Sequence, residues 1–371
     1  MNVADLSKYD EIIIWGASMP PEETDVPTSH RRAIERLIEI LRKKGILNRV
    51  IFIVDSNKEF IGKKRLGYSI KSPDEILGYP NALLIVNTIS ICAIQNALKR
   101  LEIKNDYVVI PYYLYHGTVD HPYMNEVARE DMLQHKEDIA NLYWMEDEAT
   151  KRYMDIIMEL RLRGEDDLYT SDFYKNTGGG INCFCDTQLA PKGNVTYIDV
   201  GAFDGDSIEP VRKYYGSRLK KCIAFEPNAE LFAKLKKYIS DHAMEDISTV
   251  LPYALGDEEK IVCFSSQGAM GQVSEAGEIA IEQKMFDNLQ VESVGDAMVK
   301  MDIEGFELSA LKGMQEFIRT HKPYLAICIY HKEKDLYEIA QYIKSLNADY
   351  RLYIRGGWHL ECWAVPESHF I

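Results

Sequence analysis

The chain has 371 residues, long enough for two domains with substantial cores, and its 46% hydrophobic and 27% charged content is ordinary for a soluble globular protein. A formal net charge of −15 speaks against binding nucleic-acid backbones or docking on anionic lipid. Its apolar runs, such as Tyr324 to Tyr330, have strand length and cannot span a bilayer.

Residues 1–120 alternate strand and helix patterns. Glu11 to Trp15 reads as a strand ending at Gly16-Ala17. Thr28 or Ser29 can cap a helix from His30 to Lys44, whose Ile34, Leu37, Ile38 and Leu41 share one face. Val50 to Val54 is a second strand ending in Asp55, and Ala82 to Val86 and Tyr107 to Ile110 supply two more. This alternation predicts a small parallel sheet covered on both faces, a Rossmann-like half. Gly16 and Asp55 occupy the two places diagnostic of nucleotide binding. The run Gly16-Ala-Ser-Met-Pro-Pro21 lacks the glycines of a phosphate loop, and its prolines remove amide donors. Docking or homo-oligomerisation is the other expectation for this domain.

Residues 121–175 predict a helical connector. Ile139, Leu142, Tyr143, Tyr153, Ile156, Ile157 and Leu160 recur at helical spacing, and Glu148 with Arg152 and Glu159 with Arg163 are i,i+4 pairs. Gly178-Gly179-Gly180 reads as a hinge, since no helix start follows. The seven cysteines are odd in number and scattered, which suits a reducing cytoplasm. Cys183 and Cys185 have no second pair at zinc spacing, so no metal is expected there. Met1 to Asp10 carries no signal-peptide core, and the expected location is cytoplasmic.

The third domain, 176–371, holds the most informative run. Val195 to Val200 predicts a buried strand, after which Gly201 and Gly205 let the backbone turn tightly. Asp199, Asp204 and Asp206 crowd that turn. They would repel phosphate but suit a ligand with ammonium and sulfonium groups. Ser207 to Tyr215 supplies a crossover helix. Lys221 to Asn228 is the next strand, ending in Glu226, placed to accept from both ribose hydroxyls of a nucleoside. The alternative role for Glu226 is to cap the helix Glu230 to Ser240, and Pro227 fits either reading. Ser248 to Leu255 predicts a third strand, Lys260 to Ser265 an added strand, and Gly268 to Gly277 a Gly-rich excursion. Ala297 to Ile303 delivers Asp302 and Glu304 to its C-terminal end. A helix over Phe306–Thr320, a strand over Tyr324–Tyr330 ending beside His331, a helix over Leu336–Leu346 and a closing hairpin through Gly356-Gly357 complete the pattern.

These runs together resemble the FkbM-type methyltransferase family, a branch of the S-adenosylmethionine-dependent Rossmann-like enzymes. The matching segments are Asp199-Val-Gly-Ala-Phe-Asp-Gly-Asp-Ser207, Phe225-Glu-Pro227, Ala254-Leu-Gly-Asp257, Val299-Lys-Met-Asp-Ile-Glu-Gly-Phe-Glu307, Leu311-Lys-Gly-Met314, Lys322 to His331 and Ala364-Val-Pro366. They occur in the family's order across residues 180–368. Arg355-Gly-Gly-Trp358 stands where the family often has an Arg-His-Tyr-like run. The resemblance implies a class I methyltransferase sheet with a terminal antiparallel hairpin. It implies S-adenosyl-L-methionine held by Asp199, Gly201, Ala202, Phe203, Asp204, Gly205, Glu226, Pro227, Ala254 and Leu255. It also implies a sugar or glycan hydroxyl as acceptor, in surface polysaccharide assembly.

A sulfonium methyl is already electrophilic, so the protein must align a nucleophile and, for a hydroxyl acceptor, remove its proton. Asp302, His331 and Glu304 are the candidates. His331 titrates near neutrality in its ordinary state. The alternatives are a satisfied strand-end histidine for His331 and a helix-cap carboxylate for Glu304. Two other functions stay open. A nicotinamide-dependent or nucleotide-dependent sugar-modifying enzyme would use the N-terminal domain, but Tyr68-Ser-Ile-Lys71 there is one residue too short for a Tyr-x-x-x-Lys dyad. A non-catalytic scaffold would not need Asp199, Glu226 and Asp302 together.

Overall fold

The structure, a computed structural model, describes residues 6, 8–17, 28–87, 91–109, 126–143, 147–163, 186–265, 272–273, 279–355 and 360–370. The chain divides into two compact units. Residues Met1–Leu133 with Asp155–Ile181 form one, and Gln134–Met154 with Asn182–Ile371 form the other.

The first unit is built on β1 (Ile12–Trp15), α1 (Thr28–Lys43), β2 (Val50–Val54), β3 (Lys64–Arg65), β4 (Tyr68–Lys71), β5 (Leu83–Val86), α2 (Ile91–Arg100) and β6 (Tyr107–Val109). Its sheet has the order β3-β4-β2-β1-β5-β6. All pairings are parallel except the β3/β4 hairpin. β1 and β5 are buried along their whole length, which is why they read as unbroken apolar runs. β3 and β4 escape the sequence pattern because they are short and half-exposed at the sheet edge. Asp55 turns both carboxylate oxygens onto backbone amides, Ala17 at 2.8 Å and Asn57 at 2.8 Å.

α3 (Glu126–Leu142) and α4 (Glu148–Arg163) follow, as the helical spacing requires. The second unit then runs through β7 (Val195–Val200), α5 (Ile208–Tyr215), β8 (Leu219–Phe225), α6 (Ala229–Asp241), β9 (Ser248–Leu251), β10 (Ala254–Leu255), β11 (Lys260–Ser265), β12 (Gln272–Val273), β13 (Ile279–Lys284), β14 (Asp296–Met301), α7 (Glu307–Lys312), α8 (Gln315–His321), β15 (Tyr324–Cys328), α9 (Asp335–Leu346), β16 (Arg351–Arg355) and β17 (Glu361–Val365). Its seven-stranded sheet has the order β16-β17-β15-β14-β7-β8-β9. β7, β8, β9, β14 and β15 are mutually parallel, and β17 runs antiparallel to both β15 and β16. This is the α/β Rossmann-like sheet with the terminal antiparallel hairpin that the sequence predicts. Tyr197, Ala224, Met298, Ala326 and Trp363 lie in one continuous core on a face of this sheet.

Three local expectations differ from the structure. The third strand stops at Leu251, and Ala254–Leu255 pairs with β13 in a separate four-stranded sheet ordered β10-β13-β11-β12. Pro252 lies between the two, and it has no amide with which to continue the ladder. The helix expected over Phe306–Thr320 is two helices, parted at Gly313 and Met314. A Cβ at Gly313 would lie 1.9 Å from the Gly256 carbonyl oxygen, so close backbone packing fixes the break. β13 is an added strand that pairs antiparallel with β11. Ser18 to Pro21, the Gly178–Gly180 run, Cys183, Cys185, Gly268 and Gly277 of the Gly-rich excursion, and Gly356 to Trp358 lie outside the described residues.

Candidate active site

The site grows from two adjacent strands, β7 and β14. Asp199 and Lys300 are register partners across them. Each sits in an otherwise apolar strand, so each must find its partner locally. Lys300 Nζ lies 3.0 Å from Asp199 Oδ1 and donates to the Gly201 carbonyl at 2.6 Å. Ser207 Oγ donates to Asp199 Oδ2 at 2.5 Å. Both ionic side chains are nearly sealed, 4% exposed for Lys300 and 0% for Asp199. Burial works against the ammonium, but Asp199 and then Asp302 outweigh it and raise the Lys300 pKa. Burial also pushes the Asp199 carboxyl up, opposed by Lys300 and Ser207. Asp199 therefore stands beneath the turn and holds its shape.

The turn itself uses left-handed backbone at Gly201 (φ +80°), Phe203 (φ +50°) and Gly205 (φ +99°). A Cβ at Gly201 would meet the Asp302 carbonyl oxygen at 2.1 Å. The glycine is required because the ends of β7 and β14 touch. Ala202 is buried, while Phe203 and Asp204 are half-buried. Glu226, at the end of β8, accepts from Phe203 N at 3.0 Å and from Asn228 N at 2.8 Å. Burial pushes its carboxyl up to about 7, and the two amides pull it back only in part. Asn228 caps α6 by accepting from the Glu230 and Leu231 amides. Glu226 instead ties the β7 turn to the end of β8, with Pro227 half-buried beside it. Ala254 and Leu255 sit in the four-stranded sheet, Ala254 against Val262 and Ile281.

A second cluster forms past the end of β14. Asp302, Glu304 and His331 come together there: His331 Nε2 lies 3.4 Å from Asp302 Oδ1 and 3.5 Å from Glu304 Oε2. Its Nδ1 lies 2.9 Å from Glu307 Oε1. Glu307, at the start of α7, also accepts from the Ile303 amide at 2.9 Å. Glu307 thus does the helix-end work that sequence alone left open for Glu304. Tyr330 donates its hydroxyl to Asp302 Oδ1 at 3.1 Å. Burial opposes charge on the His331 ring, but Glu307, Asp302 and Glu304 overcome it and raise its pKa to about 9. Burial raises Glu304 to about 7, with His331 opposing. Glu304 holds φ +55°, followed by Gly305 at φ +95°. A non-glycine residue in that region costs of the order of 1 kcal/mol or more and persists where the surroundings demand it.

Four participants escape a reading of the sequence for chemistry: Lys300, Ser207, Glu307 and Tyr330. Lys300 left a signal, a lone cation inside Ala-Met-Val-Lys-Met. Glu307 left none, since a glutamate in a first helical turn is ordinarily a solvated one.

Residues 199–352 match the family model of the methyltransferase FkbM domain. Among solved structures, methyltransferase FkbM from Methylobacillus flagellatus KT superposes with a TM-score of 0.54 at 18% identity, covering 96% of this chain and 89% of that chain. That likeness establishes the fold. A putative rRNA-methylase from Clostridium thermocellum (TM-score 0.32, 8% identity) covers 48% of this chain and 89% of its own. A SAM dependent methyltransferase from Aquifex aeolicus (TM-score 0.31, 14% identity) covers 48% and 85%. Neither of these two carries weight at that score. No curated protein matches the chain significantly. The family model thus covers residues 199–352, and the structure around them has the fold of that methyltransferase FkbM structure.

Proposed function

We propose that the chain transfers the methyl group of S-adenosyl-L-methionine to a hydroxyl oxygen of a sugar or glycan. The observation that carries this reading is Glu226. It stands at the C-terminal end of β8, tied to the turn after β7, where an open α/β sheet receives a nucleoside. Ribose hydroxyls would donate to its carboxylate. The methionyl end would lie toward Gly201, Asp204 and Asp302. An acceptor oxygen would form its bond to the methyl carbon as the carbon–sulfur bond breaks, leaving a neutral thioether. The hydroxyl proton would pass to the cluster of Asp302, Glu304 and His331. His331, raised to about 9 chiefly by Glu307, keeps its own proton at neutral pH, so a carboxylate of the cluster is the acceptor in the unliganded protein. The family resemblance supports the sugar or glycan acceptor. Residues 1–120 are assigned to docking or homo-oligomerisation and 121–175 to a connector.

Glu226→Ala tests the cofactor assignment. Losing a charge-assisted hydrogen-bond acceptor costs about 1.5–3 kcal/mol, or roughly tenfold to a hundredfold in affinity for S-adenosylhomocysteine by calorimetry. Unchanged affinity in a folded variant would sink it. Methyl release from labelled S-adenosylmethionine over a panel of sugars and nucleotide sugars then tests the acceptor.

A further inference from the structure

We propose that Asp302, Glu307 and His331, with Glu304 at the rim, form a binding site for a divalent cation of the Mn²⁺ or Mg²⁺ class. Cation binding does not depend on the methyl-transfer reading.

The His331 ring lacks hydrogen bonds among the described residues. His331 Nε2 is buried and has no hydrogen-bond partner among the described residues. Its side chain is 8% exposed and its Nε2 faces two carboxylates. The separations of 3.4 and 3.5 Å are longer than an ordinary N–H···O bond, which spans about 2.7–3.2 Å. They are close to the spacing of ligand atoms around a shared ion. With metal–ligand bonds of about 2.0–2.2 Å, neighbouring ligands stand roughly 3–3.5 Å apart. Asp302, Glu307 and His331 each offer a ligand atom within 4.8 Å of the others.

The far side of the ring supports the same assignment. Nδ1 lies 2.9 Å from Glu307 Oε1 and, like Nε2, is buried with no hydrogen-bond partner among the described residues. Glu307 is 0% exposed, and its Oε2 is buried without a hydrogen bond among the described residues. Three carboxylates around one imidazole leave a negative excess. Lys300, buried on β14, is bound to Asp199 and the Gly201 carbonyl. An oxygen-rich set with one imidazole suits a hard or borderline divalent ion better than a thiophilic one. Glu304, the most exposed of the ligands at 29%, leaves an open side for a ligand oxygen.

The full-length chain, stripped with EDTA, is titrated with Mn²⁺ alone. Free Mn²⁺ is read by electron paramagnetic resonance, and nitrogen coupling to the bound ion by spin-echo modulation. We expect one Mn²⁺ per chain with imidazole nitrogen coupling. His331→Gln should abolish the coupling, and Asp302→Asn and Glu304→Gln should each weaken binding about tenfold or more. Glu304→Gln sits at the rim and keeps the core intact, so it remains informative if Asp302→Asn unfolds. Absence of stoichiometric Mn²⁺, or binding without nitrogen coupling, overturns the site. S-adenosylhomocysteine affinity is measured in the same stripped protein. Its loss would count against the cofactor reading alone.

Discussion

Lys300 is an ionic side chain buried in the C-terminal unit. Its ammonium lies 3.0 Å from Asp199 in a site where both side chains are almost wholly buried. Removing one partner of such a pair leaves an uncompensated buried charge and costs about 3–5 kcal/mol. Lys300→Met should therefore lower unfolding free energy by that amount in chemical denaturation, and adding Asp199→Asn should restore a good part of it. Equal stability of Lys300→Met and the natural chain would show that the pair is not a determinant. Glu226 gives the pH dependence at this scale. Its folded pKa is about 7, raised by burial from 4.5. A carboxyl raised on folding favours the folded state most below its unfolded pKa, and that stability is lost as pH rises through about 7. The contribution is up to about 3 kcal/mol, at about 1.4 kcal/mol per unit. Stability of the unliganded protein should fall between about pH 4.5 and 7, and Glu226→Gln should reduce that fall without removing it, since burial raises Glu304 and Asp335 to about 7 as well. An equally steep fall in the variant would assign the dependence to other groups.

At the level of elements, the site depends on how closely the ends of β7 and β14 approach. Gly201 admits the Asp302 carbonyl into the space a side chain would fill. Gly201→Ala must move the Asp302 backbone or open the turn, and its φ of +80° adds strain of its own. We expect a loss of about 1–3 kcal/mol in stability together with weakened S-adenosylhomocysteine binding. Full retention of both would mean that the turn relaxes without disturbing Asp302. The same contact explains why the glycine was legible in the sequence but its reason was not. A glycine after a buried strand signals close approach, yet only the fold reveals that the approaching group is the neighbouring strand's carbonyl. The split between α7 and α8 has the same character, since Gly313 is set by the distant Gly256.

For the molecule as a whole, the C-terminal unit reaches back into the helical connector. Gln134–Met154 groups with Asn182–Ile371. Arg355, 8% exposed, pairs with Asp147 at 2.9 Å and Asp186 at 2.5 Å. The Ile354 amide donates to Thr150 Oγ1 at 3.2 Å, and the Tyr143 hydroxyl donates to the Leu336 carbonyl. A chain beginning at residue 176, where sequence places the domain start, would leave Arg355 buried with one carboxylate in place of two. With Asp186 still paired to Arg355, the cost is below the roughly 3–5 kcal/mol of a wholly uncompensated buried charge. A fragment of residues 126–371 should therefore unfold at distinctly higher denaturant than one of residues 176–371, by circular dichroism. Equal midpoints would show that the connector adds nothing to the unit.

Sequence by itself determined the alternation of strands and helices, the two Rossmann-like sheets and the order of the motif runs. These follow from local periodicity and from glycines at strand ends, and neighbouring residues carry both signals. It also brought forward Asp302, Glu304 and His331, because strand ends in a parallel sheet converge on one edge. Tertiary structure alone decided what those residues touch. It set Lys300 against Asp199 and made Glu307 the partner of His331 Nδ1. It also moved Ala254 and Leu255 into a second sheet. Each of these depends on pairings between residues distant along the chain, where burial and charge choose the partner and no local pattern records the choice.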